Sequence, residues 1–120
     1  MLDEVLFYLI EGSLRFPGTS LAHIYSIMVE KRYDTAAAQA FHQIFARLAA
    51  RATQEYPNVG QAAIGTALSQ VLAAVLFSML APGLFLPLAS LDLSQSQECR
   101  RLARYLTRLF GRGLEIGPGA

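Results

Sequence analysis

The sequence predicts an all-α domain of five helices, and three observations carry that prediction. Apolar residues recur at three- and four-residue spacings along most of the chain. Gly and Pro fall between those periodic segments, where helix boundaries require them. The 120 residues are 53% hydrophobic and 16% charged, against roughly 25% charged in an ordinary soluble domain. A chain of this length supports one core without disulfides or metals. Its excess apolar surface therefore has to be covered by a subunit partner, a ligand or lipid.

The first helix is expected from about Leu2 to Phe16, with Val5, Leu6, Leu9, Ile10 and Leu14 at helical spacing, until Phe16-Pro17-Gly18 stops it. The second follows Thr19 or Ser20 as N-cap and carries Leu21, Ile24, Tyr25, Ile27 and Met28 to about Arg32. Asp34 or Thr35 caps the third, whose alanine run and stripe of Phe41, Ile44, Phe45, Leu48 and Ala52 extend to about Glu55. Asn58 with Gln61 forms a capping-box-like start for the fourth, which continues to Pro82. Ser94 with Gln97 repeats the box for the fifth. There Leu102, Leu106, Leu109 and Phe110 face inward, and Gly111 or Gly113 closes the end. Residues 117–120 read as a frayed tail.

The fourth helix is the most informative element. Ile64, Leu68, Val71 and Val75 form one stripe, while Leu72, Leu76 and Leu80 with Gly65, Ser69 and Ala73 form the adjoining one. No charged residue occurs from Gln61 to Ala81. A helix of this kind is buried on nearly every side, so one flank is expected on the home core and a second against a neighbour. The fifth helix contrasts with it, since Arg101, Arg104, Arg108 and Arg112 lie on a solvated face opposite the Leu stripe. Two such helices and their copies make an intersubunit four-helix bundle. The expected dimer interface is Gly65, Ser69, Leu72, Ala73, Leu76, Leu102, Leu106 and Leu109.

The ending Leu102-Ala-Arg-Tyr-Leu-Thr-Arg-Leu-Phe-Gly-Arg-Gly-Leu114 resembles the last helix of the regulatory domain of TetR (tetracycline-repressor-like) bacterial transcription regulators. The run Phe41-His-Gln-Ile-Phe-Ala-Arg-Leu48, the Tyr-Pro turn and the long Ala/Leu helix after Asn58 are similar to that family as well. The resemblance implies a homodimer whose subunits each hold a small effector among their helices. It also implies that DNA is contacted only through an N-terminal helix-turn-helix unit, and no segment of this chain reads as one. The domain is therefore expected to comprise residues 1–120 and to sense a small apolar or aromatic molecule. Within such a domain, Tyr25, Met28, Phe41, His42 and Phe45 are the expected pocket lining.

Other chemistry finds little footing in the residues. His23 and His42 have no acidic or Cys neighbour three or four residues on, so neither belongs to a metal site, and no cofactor is expected. Cys99 is the only cysteine; it lies where a helix N-terminus and Arg100 could lower its pKa, although a small semi-buried residue is the plainer reading. No nucleophile elbow or phosphate loop is present, and enzymatic activity is not expected. A net charge of +1 gives no field that would steer nucleic acid or an anionic membrane to the chain. Asp3 and Glu4 stand near the start where a secretory signal would be basic, so the expected location is the cytoplasm. Two alternatives stand beside the regulator reading. One is a membrane protein spanning at residues 61–81, since about 20 apolar residues suffice to cross; the other is a ligand-free adaptor dimer.

Overall fold

A computed structural model of the chain describes residues 1–80, 83, 84, 87 and 92–116. Among the described residues there are five helices of 12 residues or more and no strand: α1 (Leu2–Arg15), α2 (Pro17–Met28), α3 (Ala36–Glu55), α4 (Gln61–Leu80) and α5 (Ser96–Ile116). The expected stop at Pro82 and the expected tail at residues 117–120 lie outside the described residues.

α1 and α2 meet at a single corner residue. The Phe16 amide donates to the Gly12 carbonyl at 2.9 Å and closes α1, while the Phe16 carbonyl accepts the Ser20 amide at 3.1 Å and opens α2. α2 thus begins at Pro17, two or three residues before the expected cap at Thr19 or Ser20. Proline supplies the reason: it suits the first helical position, where no amide is needed and its fixed φ is already helical. α2 ends at Met28 rather than near Arg32, because Lys31 takes a left-handed backbone (φ 57°) and the Arg32 amide turns back to the Ser26 carbonyl at 3.1 Å.

Thr35 caps α3 as expected, its hydroxyl accepting the Ala38 amide at 3.1 Å. The two capping boxes do not form where they were expected. Asn58 lies in a turn, and α4 starts at Gln61, with the Ile64 amide on the Gly60 carbonyl at 3.1 Å. Ser94 donates its amide and hydroxyl to the Asp92 carboxylate at 3.1 and 2.6 Å, so α5 starts two residues further on, at Ser96. α5 also runs through Gly111 and Gly113 to Ile116. A glycine ends a helix by entering the left-handed region, and no described glycine does so. Gly111 serves another purpose, since a Cβ there would stand 3.0 Å from the Tyr56 hydroxyl. The Tyr56 ring packs edge-on against Phe110, with centroids 6.4 Å apart.

The core is built around α4, which packs on α1, α3 and α5. At one end Leu6 and Ile10 of α1 meet Leu72 and Val75 of α4 and Cys99 and Ala103 of α5. At the other, Leu48 and Ala52 of α3 meet Ile64 and Leu68 of α4 and Phe110 and Leu114 of α5. Leu114, in the last turn of α5, explains why that helix continues past its glycines. Arg100 stands 4.0 Å over the Phe7 ring, and the Ser96 hydroxyl donates to Glu11 at 2.8 Å, so α1 and α5 are also tied at their surfaces.

Candidate functional site

α2 is the one helix of α1, α2 and α3 with no buried residue. Its apolar residues are spread round the helix, so no single face can be hidden. Between α2 and its supports lies a pocket of about 230 Å³. Leu9 and Ser13, one turn apart on α1, form one wall. Ser20, His23, Ile24, Ile27 and Met28 of α2 form the roof, while Ala37 and Phe41 of α3 and Leu76 of α4 complete the lining. Ser13 and Ser20 flank the α1–α2 corner with His23 one turn on, and the rest of the described lining is apolar. A pocket with an apolar body and a few placed polar groups is the usual form of a small-molecule site.

Of the five residues expected to line a pocket, the structure brings Met28 and Phe41 into this one. Phe41 also borders a neighbouring hollow of about 370 Å³ with His42 and Phe45, beside Ile27, Tyr33 and Ala38. Tyr25 lines neither hollow; it is 56% exposed on the outer side of α2. Ser13, Ser20 and His23 were not among the expected lining residues. Pro17 held the missing signal, because reading it as the first residue of α2 places Ser20 inside the helix with His23 three residues on.

The expected dimer residues divide three ways. Leu72 is 3% exposed and sits in the chain's own core, since α1 lies across α4 and packs Leu6 and Ile10 at its level. Leu76 turns to the pocket, while Gly65, Leu102 and Leu106 are half-buried. Ser69, Ala73 and Leu109 are exposed. The open face of α4 therefore runs through Ala62, Thr66, Ser69 and Ala73, with Gln70 and Ala74 beside it, and carries no charge. On α5, Tyr105 and Leu109 are exposed at 56% and 44% on the flank turned away from α1.

Cys99 does not have the lowered pKa its helix position suggested. Burial pushes the thiol up, the Glu11 and Glu98 carboxylates push it further, and its Sγ donates to the Leu93 carbonyl at 3.4 Å. Such a thiol is a weak nucleophile. Arg101, Arg104 and Arg108 border an open furrow of about 460 Å³ with Asp3 and Thr107, and Arg101 pairs with Glu98 at 3.1 Å. Among the described residues no three His, Cys, Asp or Glu side chains are grouped to hold a metal ion. No family model matches the chain, and it has no significant match among curated proteins or solved structures.

Proposed function

We propose that this chain is the effector-sensing and homodimerisation domain of a TetR-like transcription regulator, with a small apolar molecule held beneath α2 and DNA contacted only by an N-terminal domain outside this chain. The observation that carries the reading is the uncharged, exposed face of α4 from Ala62 to Ala74. Small side chains there let a second α4 approach closely, and Tyr105 and Leu109 on α5 supply larger apolar area at the margin. A second copy covers the same surface on both partners in one closed, twofold contact. The effector acts by preferring one arrangement of the helices, and it shifts the population only as far as its affinities for the two arrangements differ.

Purified chain is expected to sediment as a dimer. Ala73→Glu is expected to give folded monomers, because the site is exposed in one subunit and is desolvated only when a partner covers it. Leu72→Glu serves as the contrast and should unfold the subunit itself. A monomeric wild type at high concentration, or a dimer indifferent to Ala73→Glu, removes the support for this reading.

A second reading rests on Gln61–Met79, which is long and apolar enough to cross a membrane (mean hydropathy 1.8). Against it, α5 packs along α4, and a spanning α4 would draw Arg101, Arg104, Arg108 and Arg112 toward the hydrocarbon at a cost of ~2.5–3.5 kcal/mol or more each. Retention of the protein in the membrane pellet without detergent would favour the spanning helix.

A further inference from the structure

We propose that the pocket beneath α2 selects a small neutral amphiphile of the alkylphenol or alkanol class, its hydroxyl seated among Ser13, Ser20 and His23 and its hydrocarbon body against Ile24, Ile27 and Phe41. The proposal rests on the effector-sensing reading and names the chemistry of that same site.

The placement of polar groups follows from the corner at Phe16. Ser13 is in the last turn of α1 and Ser20 in the first turn of α2, so the tight connection between the helices brings both serines to the corner end of the pocket lining. His23 lies three residues after Ser20 and adds a ring nitrogen on the same side. Beyond them the described lining is hydrocarbon apart from the Met28 thioether: Leu9, Ile24, Ile27, Ala37, Phe41 and Leu76. The pocket is thus polar at the corner and apolar along its body.

Charge narrows the choice of head group. Among the described residues no Asp, Glu, Lys or Arg lines the pocket. A carboxylate would find no lysine or arginine to meet it, and an ammonium no carboxylate, so either would lose hydration with little repayment. Two serine hydroxyls both donate and accept, which suits a partner that does the same. A neutral hydroxyl is such a partner, whereas a carboxylate only accepts. Size narrows the body: about 230 Å³ is below the ~300–1,000 Å³ of pockets that hold drug-sized ligands, so one ring or a short chain fits. Entry requires no opening of the core, because α2 buries none of its own residues there.

Calorimetry on the whole chain with three probes of matched shape tests the proposal: 4-propylphenol, its methyl ether and 4-propylbenzoate. The phenol is expected to bind tightest, the ether about tenfold more weakly for one lost hydrogen bond, and the benzoate more weakly still. In the Ser13→Ala/Ser20→Ala double variant the phenol is expected to lose more affinity than the ether, so that the two bind within about twofold of each other. Equal binding of phenol and ether to the unaltered chain, or preference for the benzoate, overturns the head-group assignment while leaving a functional pocket. Absence of binding by all three at millimolar concentration overturns the pocket and the effector-sensing reading together. The probe series on the unaltered chain needs no variant to fold.

Discussion

α1 and α2 have similar lengths and share a corner residue, yet the molecule holds them in opposite ways. α1 buries Leu6, Phe7 and Ile10, and lies across both α4 and α5. α2 is the more apolar of the two on average but has no buried residue, and it packs mainly on α1 and α3 across a hollow. Burial has followed the segregation of apolar residues onto one face rather than their number. α1 keeps Glu4, Tyr8 and Arg15 outside, so one face is free to be dry. α2 sets Leu21, Tyr25 and Val29 on one side and Ile24 and Ile27 on the other, so neither side can be fully covered. The scaffold of α1, α4 and α5 is the tight half, and α2 is the half with freedom to respond. Helices with few buried contacts open locally at lower free energy than core elements.

The largest effect that would test this contrast is truncation in the tight half. Leu6 is completely buried between α4 and α5, and Leu6→Ala is expected to lower the unfolding free energy by about 3 kcal/mol, within the ~2–5 range for closed cores. Chemical denaturation reads it directly. A loss under ~1 kcal/mol would mean the site collapses onto the smaller side chain and that α1 is no more tightly held than α2.

Cys99 supplies a pH-dependent test of the same half. Its thiol is raised in the folded chain above the ordinary value of 9.0, by burial first and by Glu11 and Glu98 second. A group with a raised folded pKa adds stability that is complete below the unfolded pKa and is lost as pH rises toward the folded one. Stability should therefore be independent of this thiol below about pH 9 and decline above it, and Cys99→Val should lack that decline. Denaturation midpoints from pH 7 to 10 measure it. An alkaline decline of equal size in the variant would place the cause elsewhere.

Thr35 comes next, because it fixes the start of the helix on which α2 leans. Removing its hydroxyl in Thr35→Ala leaves the Ala38 amide without its cap, a loss of about 1 kcal/mol. The effect on amide exchange should be confined to the first turns of α3 and to α2. Spread of the effect to α1 would erase the distinction between the halves.

How much of the fold the sequence makes legible differs between elements. Period alone places all five helices, because apolar residues at three- and four-residue spacing gather on one side of a helix but scatter over both faces of a strand. Their ends are less legible, since Ser, Asn and Gly act at helix termini only in particular backbone conformations. Ser94 bonds to Asp92 instead of capping α5, and Gly111 and Gly113 keep helical backbone because Leu114 has a core to enter. The outer face of α4 is displaced by one stripe from its expected position, as nothing in that helix alone says where α1 will cross it. Phe41 and Met28 are legible as pocket residues because they are large and apolar on adjacent helices. Ser13 and Ser20 are not, since only the Phe16 corner brings them together, and a corner is a tertiary fact.

The smallest expected change in stability is also the most discriminating. Ile24 is half-buried and lines the pocket, so Ile24→Ala enlarges a hollow that already exists rather than creating a closed cavity. Its cost should stay below ~1 kcal/mol, because the penalty for truncation grows with the enclosed volume left behind. Affinity for an apolar ligand should nevertheless fall about tenfold, as the ligand loses the contact that ~50 Å² of side-chain surface provides at ~25 cal/mol per Å². In Leu6→Ala the order is reversed, with stability falling steeply and affinity, measured where the chain remains folded, holding. Denaturation and calorimetry on the two variants therefore give a crossed pattern if scaffold and receptor are separate. If Ile24→Ala unfolds the chain as readily as Leu6→Ala does, α2 belongs to the core, and the pocket beneath it is too rigid to admit a ligand without global opening.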